Sequence, residues 1–559
     1  MREKYIDLME KILSAYTVEH IIRYFDDVKR DGLTEHGFPR LTSDIGILIG
    51  HGRRTELKDL FCEMMDFCCA AIPTVKAAND FSVREVICCI AVLEKNRIFD
   101  AEKINGWKEC LKTIDPQKCY TSFAVKPDDI VHNWALFTAV SEYFRYRMGL
   151  SESPAFAELQ VAAQMKWLDE NGMYKDSPYA DPIRCPMVYD QVPRGLFSCL
   201  LFAGYTGPYA KEIDDYLRKA GLCTLVMQSV TGELPFGGRS NQFLHNEAWM
   251  AAICEFEAVR YHKEGNHALA GKFKAAVHRA IENTEYWLNK TPISHVKNRF
   301  PFQEHFGCED YAYFDKYMIT AASFYYAAYM FCDDSIKAAA YDDSPAIWST
   351  SEYFHKVFAR AGGYSLEFDT NADPHYDAKG LGRIHKYGAP SPICLSLPCP
   401  AAHPNYKIKG VEPTSMSLCP GIKQDGEWKF AADPEWVHEM TDSETGADYV
   451  SLTMNCRLED RSVSTKYRVD ASGVCAAVKG SGEIAYMLPA FSFDGETEPE
   501  IAAEEHCLTV TYEGWQCRYT TNGRITDTGK TTANRNGYYR IFYASGENAL
   551  DVKVEIVKK

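Results

Sequence analysis

The run Ile130-Val131-His132-Asn133-Trp134-Ala135-Leu136-Phe137-Thr138-Ala139-Val140-Ser141-Glu142-Tyr143-Phe144 decides the class of the first part of the chain. Ile130, Trp134, Phe137, Val140 and Phe144 recur at steps of three and four, which puts them on one face of a helix. The same spacing predicts helices over 82–97, 153–169, 194–204, 208–228, 247–262, 266–290 and 311–331, with earlier ones at 3–29, 42–50 and 55–71. Pro and Gly punctuate the gaps, as in Gly204-Tyr205-Thr206-Gly207-Pro208. About a dozen helices joined by short or medium loops predict antiparallel helical hairpins. No clean repeat supports a regular solenoid.

Near residue 345 the pattern shortens toward alternation. Tyr449-Val450-Ser451-Leu452-Thr453-Met454, the run 462–469, Leu508-Thr509-Val510-Thr511-Tyr512 and the run 549–556 alternate apolar with polar residues, separated by Gly, Asn and Asp. This predicts an antiparallel sheet region, a β-sandwich. The expected organisation is α + β and multidomain: helical hairpins over 1–345, then the sandwich over 346–559. No βαβ alternation, GxGxxG or Walker loop occurs, which argues against nucleotide-dependent chemistry.

The 559 residues carry 61 Lys and Arg against 77 Asp and Glu, a formal charge of -16. A protein that wraps a nucleic-acid backbone shows a basic surplus, so neither nucleic acid nor an anionic membrane is an expected partner. Aromatic residues reach 13%, enough for large helix interfaces and for the lining of a sugar cleft. Many of the 20 cysteines sit in apolar runs such as Phe67-Cys68-Cys69-Ala70-Ala71, and no CxxC occurs. Scattered thiols of this kind predict a reducing compartment. With a charged N-terminal segment and no apolar run long enough to span a bilayer, the expectation is a cytoplasmic protein. An enzyme there would act on imported oligosaccharides.

Four polar clusters interrupt this pattern. His132-Asn133-Trp134 opens a long apolar helix. Tyr189, Asp190, Gln191 and Arg194 crowd a Pro-containing segment, 187–195, expected as a loop. A phenol and a guanidinium held together can bind a carboxylate and deliver a proton. The densest cluster is Pro235-Phe236-Gly237-Gly238-Arg239-Ser240-Asn241-Gln242-Phe243-Leu244-His245-Asn246-Glu247. Its Gly-Gly turn allows a close backbone approach, and its polar content exceeds what capping a helix requires. The fourth, Asp373 to Gly388, holds His375, Tyr376, Arg383, His385 and Tyr387. A weaker group contains Glu304, His305, Asp310, Tyr311 and Tyr313, and Arg40, His51, Arg53 and Arg54 form a basic patch resembling a solvated helix end.

The layout resembles the (α/α)-toroid polysaccharide lyases and their heparinase II/III-like relatives. The resemblance rests on the helical region followed by the β region, and on His132-Asn133, Tyr189, His245-Asn246 and His375-Tyr376 through His385-Tyr387. The family's His-Ala-Asp-like β-domain segment is echoed by His375-Tyr376-Asp377-Ala378. It implies an (α/α) toroid, or incomplete barrel, followed by an antiparallel β-sandwich, and β-elimination on a uronic-acid glycan. It also implies roles. Asn246 and Arg239 would neutralise the uronate carboxylate, His245 would act as base or neutraliser, and Tyr189 as base or acid. His375, Tyr376 and His385 would close the cleft from the β side. His132, Asn133, Trp134, Arg194, Arg239, Asn241, Glu247, His305, Arg383 and Tyr387 would contact substrate.

Two other readings remain. A glycoside hydrolase would need two carboxylates, with Asp190, Glu247, Glu304, Glu309 and Asp310 available. A non-catalytic glycan binder would use the aromatics alone. HExxH, GxSxG and zinc-ligand spacings are absent, and no cofactor is expected. A structural or carboxylate-binding divalent metal and a homo-oligomer stay open.

Overall fold

A computed structural model describes residues 1–77, 79–179 and 186–559. Fourteen α-helices precede fifteen β-strands among these residues. Six helices form an inner ring: α3 (Gly37–Gly50), α5 (Asn79–Lys95), α8 (Trp134–Arg147), α10 (Val188–Phe202), α12 (Leu244–Lys263) and α14 (Phe314–Phe331). Each packs on the next, and α14 returns to α3, so the toroid closes instead of remaining an incomplete barrel. Outside it, α1 (Arg2–Leu13) packs on α14, α4 (Lys58–Ala71) on α3, α9 (Ala155–Met165) on α8, α11 (Ala210–Met227) on α10 and α13 (His267–Leu288) on α12.

Burial follows from this placement. α3 is buried along its whole length. The outer α2 (Val18–Asp31) buries only Ile21, Phe25 and Val28, a single stripe. α10 and α12 approach so closely that a Cβ at Gly195 would meet the Trp249 ring at 2.3 Å. The ring's centre is polar and paired: Arg40 and Arg84 both donate to Glu85 at 2.8 Å.

Three local expectations are corrected. The stretch 3–29 is two helices, because Thr17 accepts from the His20 amide and caps a new start. The segment 187–195 is not a loop but the first turns of α10. Pro193 sits inside that helix, at the cost of one ladder hydrogen bond. A further helix, α6 (Ala101–Lys112), is capped by Asp100.

The β region builds two antiparallel sheets. β1 (Ala346–Ser349), β2 (Lys356–Ala361), β3 (Tyr364–Asp369) and β4 (Gly380–Lys386) form a four-stranded sheet in chain order. The remaining strands form an eleven-stranded sheet built around two 21-residue strands, β10 (Gly473–Phe493) and β15 (Tyr538–Lys558). The sheets share one core: Val357, Ala359, Leu366, Phe368 and Ile384 pack with Val450, Leu452 and Met454. Strand alternation turns the intervening residues of the small sheet toward the helices. Lys356, Glu367, Arg383 and His385 therefore lie in the junction between the two regions.

Candidate active site

The inner helices deliver their first turns to one cavity of about 420 Å3. His36 and Arg40 come from the start of α3, Phe81 from α5, Trp134 and Phe137 from α8, Tyr189 and Val192 from α10, His245 from α12, and Tyr317 and Thr320 from α14. Arg239 and Tyr311 come from the loops before α12 and α14. Side chains cap the outer helices α2, α6 and α13 through Thr17, Asp100 and Asn266. The N-cap residues of the inner helices α3, α8, α10, α12 and α14 make no side-chain cap, as is also true of the outer α1, α4, α9 and α11, and at α3 the Glu35 carboxylate accepts from the Gly37 amide. Helix N-termini carry unpaired amide donors and partial positive charge, so their convergence favours an anion.

Ser240 is the hub. Its Oγ lies 3.0 Å from the Tyr189 hydroxyl and 3.0 Å from the Tyr311 hydroxyl. Its amide donates to Glu309 Oε1 at 2.6 Å. Arg535, on the loop before β15, holds that carboxylate from two nitrogens at 2.9 and 2.5 Å. Ser240 and Gln242 both adopt left-handed backbone, at φ 57° and 62°. Non-glycine residues reach that region at an energetic cost and are kept there by their surroundings. The junction provides them. Gly238 N–H donates to Asp377 Oδ2 at 2.7 Å, Phe236 N–H donates to Glu367 Oε2, and Lys356 Nζ lies 3.4 Å from the Phe236 ring centre. Gly238 itself is at φ 69°, and a Cβ there would meet the Pro186 backbone at 2.9 Å.

Arg239 stands over the Tyr189 ring at 4.3 Å and is one-third exposed. Its Nη2 donates to Asp176 Oδ2 at 2.6 Å, while Asn133 Nδ2 donates to Asp176 Oδ1 at 2.6 Å. Burial pushes the Tyr189 hydroxyl above its usual range, and Arg239 and Ser240 pull it back. Tyr311 is pushed far higher, by burial and then by the Glu309 carboxylate. The two phenols thus differ in acidity although they share one oxygen.

His245 is lowered to about 3, by burial first and then by Arg40. His36 is driven well below its ordinary value by burial, then by Arg40 and Lys316. Both imidazoles are neutral near pH 7. Among the described residues His245 Nδ1, His36 Nδ1 and Arg40 Nη2 are buried without a hydrogen-bond partner. Arg40 is otherwise held by Glu85 and by Thr320 Oγ1 at 2.6 Å. Orphaned polar atoms in one cavity mark it as built for a polar ligand.

Of the sequence-predicted residues, Tyr189, Arg239, His245 and Trp134 line the cavity, as does Tyr311 from the weaker group. His132 stands edge-on to Trp134 at 5.0 Å, and Asn133 is tied to Asp176. Asn246 and Asn241 hold the loop from behind, through the carbonyls of Ser240 and Pro235. Glu247 accepts from Lys297 at 2.7 Å. Arg194 is wholly buried and forks onto Asp190, so it does not reach the cavity.

The β-region expectations are corrected. His385 is buried in the junction between Ser229 Oγ at 2.6 Å, Thr231 Oγ1 at 2.9 Å and Ser396 Oγ at 3.0 Å. Arg383 pairs with Glu367 at 2.9 Å on the same face of β4. His375 bonds the His403 carbonyl, and Tyr376 lies under the Arg535 guanidinium. Tyr387 stacks on Tyr341 at 4.4 Å, and His305 meets Tyr313 edge-on. None of these lines the cavity. The β region supports the site from behind the 235–243 loop instead of roofing it.

Sequence reading missed His36, Arg40, Asp176, Ser240 as the hub, Tyr317 and Thr320. Arg40 carried a signal: an arginine inside a helical run, 37–50, that is otherwise mostly apolar.

Among the described residues no three His, Cys, Asp or Glu side chains are placed to hold a metal ion. No helix among them is long and apolar enough to cross a membrane.

No protein-family model and no curated protein matches the chain. Solved structures do. Heparan sulfate lyase HepC from Pedobacter heparinus is 11% identical, over 91% of this chain and 77% of that one, at a TM-score of 0.34. A Paenibacillus xanthan lyase is 8% identical over 92% of this chain and 53% of that one, at 0.47. Chondroitinase AC lyase is 9% identical over 98% and 83%, at 0.42.

Proposed function

We propose that the chain cleaves a uronic-acid-containing oligo- or polysaccharide by β-elimination. The observation that carries this reading is the phenol pair on Ser240, set in a cavity whose charged and orphaned groups favour an anion. Elimination has three requirements. The uronate carboxylate must be neutralised so that C5–H becomes acidic, a base must take that proton, and an acid must protonate O4 as the C4–O4 bond breaks.

Arg239, Arg40 Nη2, neutral His245 and the uncapped helix ends supply donors for the carboxylate. Such donors stabilise the enolate-like charge that develops when C5 loses its proton. Environments that push two titratable groups apart assign acid and base. Tyr189, with the Arg239 cation over its ring, is the phenol more easily ionised and takes the C5 proton. Tyr311, without that cation and beside Glu309, keeps its proton and gives it to O4. The C5–H electrons form the C4=C5 bond as the C4–O4 bond leaves, so no water is consumed.

The paired-carboxylate alternative loses support at each candidate. Asp190 is locked to Arg194 at 2.6 Å, Glu247 to Lys297 at 2.7 Å and Glu309 to Arg535 at 2.5 Å. Glu304 lies on Lys409, and the Asp310 side chain is 91% exposed. The nineteen described cysteines are free thiols, which supports a reducing, cytoplasmic setting.

The test is a panel of uronic-acid oligosaccharides incubated with the purified protein and followed in the near ultraviolet. Absorbance from an unsaturated uronate is the expected result. Binding without turnover across the panel would favour the glycan-binder reading and overturn this one.

A further inference from the structure

A second cavity, of about 310 Å3, lies where α11 and α13 meet β2 and the segment 340–342 leading into the β region. Leu222, Leu225 and Leu269 give it an apolar wall. Two arginines from different regions, Arg279 on α13 and Arg360 on β2, line the same space. Each is held by neutral oxygens. Arg279 donates from Nε and Nη2 to Gln228 Oε1 at 3.1 and 2.9 Å, and Arg360 Nη1 donates to the Leu225 carbonyl at 3.1 Å. Neither is ion-paired among the described residues, and Arg360 Nε is buried without a partner. The carboxylate at the cavity, Asp342, is taken by Lys272 at 2.9 Å.

Two guanidiniums in one half-buried space repel each other. Burial and Arg360 both pull Arg279 below its ordinary value. A chain with a formal charge of -16 has carboxylates to spare, yet among the described residues none forms an ion pair with either cation. Arginine is the side chain suited to forked recognition of carboxylate and phosphate. Tyr341, stacked under Tyr387, adds an aromatic face. The space falls within the usual range for small-molecule sites, roughly 300–1,000 Å3.

We propose that this cavity binds a small organic anion, with one carboxylate or phosphoryl group between Arg279 and Arg360 and an apolar body against the leucines and Tyr341. The site is separate from the phenol-lined cavity and does not depend on the lyase reading. Its occupant would bridge the helical and β regions.

The test is calorimetric titration of the full chain with benzoate, phenyl phosphate and inorganic phosphate at constant ionic strength. Saturable binding of benzoate or phenyl phosphate, tighter than that of inorganic phosphate, is expected. Arg279→Gln and Arg360→Gln should each weaken it about tenfold or more, since hydrogen bonds to charged groups are stronger than neutral ones. Ala275→Phe, which fills the cavity and leaves both cations, should abolish it, with circular dichroism confirming the fold of each variant. Arms differing in carboxylate and phosphoryl identify which anion is preferred. No saturable binding, or binding unchanged in all three variants, would overturn the proposal. Phosphate binding as tightly as the aromatic anions would overturn its apolar half.

Discussion

Tyr189 and Tyr311 share one oxygen: each hydroxyl lies 3.0 Å from Ser240 Oγ, although one phenol sits on α10 and the other on the loop before α14. Only Tyr189 has a cation over its ring. That asymmetry separates the two roles experimentally. Tyr189→Phe and Tyr311→Phe should each lower kcat by about 10²–10⁴-fold, the usual contribution of a positioned acid or base. With a substrate carrying an activated leaving group, Tyr311→Phe should recover most of its loss and Tyr189→Phe should not. Equal recovery in both would reverse or dissolve the assignment.

The hydrogen bond with Ser240 pulls the Tyr189 hydroxyl down. Without that bond the base ionises at higher pH. Ser240→Ala should therefore move the rising limb of the kcat/KM profile to more alkaline pH, with activity near pH 7 falling and activity near the alkaline plateau largely kept. A uniform loss across pH would point to a collapsed loop.

Arg239 is expected to act on both binding and chemistry, because it meets the carboxylate and sits over the base. Arg239→Ala should cost about 10²–10³-fold in kcat, as for a lost oxyanion donor, and raise KM as well. Arg239→Lys should recover only part, since lysine lacks the planar guanidinium that lies over the Tyr189 ring while reaching Asp176. Full recovery by lysine would mean that charge alone matters.

Reading the fold from sequence succeeded where period decides structure. The apolar steps from Trp134 to Phe144 and the alternation in 450–456 survive in α8 and β8 (Val450–Leu458), whereas Ile130 lies before α8 and is exposed. The site was partly legible because polar density at a helix start is unusual; Tyr189, Arg239 and His245 were found that way. Arg40 was hidden by its neighbours Arg53 and Arg54, which made a buried ring residue resemble a surface patch. His385 misled for the opposite reason. Arg383 and His385 are two apart on one strand, hence on one face, and that face is buried against the helices. Which strand face meets which helix is a tertiary fact that alternation does not encode.

Five buried histidines set an acid limit on stability, and His36 is one, driven well below its ordinary value chiefly by burial. His245 and His385 are lowered to about 3, and His295 and His438 to about 4, in each case chiefly by burial. Their unfolded value is about 6.5, so between these values the unfolded chain binds more protons than the folded one. Their stabilisation is present above about pH 6.5 and lost as pH falls through the folded values. The melting temperature should fall steadily from pH 6.5 to 4, and His438→Gln, far from the cavity, should shallow that slope. A flat profile would contradict the buried neutral state.

Arg535 and Glu309 connect the β region to Ser240. Breaking a buried ion pair by removing one partner costs about 3–5 kcal/mol. Arg535→Ala should lower the melting temperature and reduce kcat, even though Arg535 does not line the cavity. Destabilisation with kcat unchanged would leave the pair a purely structural role.

The most direct test of elimination is to run the cleavage in ¹⁸O-labelled water and weigh both fragments. The account predicts no ¹⁸O incorporated at the cleavage site, a fragment with an unsaturated uronate at its non-reducing end, and a summed product mass equal to the substrate. Incorporation of one labelled oxygen, with products heavier by one water, would establish hydrolysis and contradict the assignment of Tyr189 and Tyr311 as base and acid.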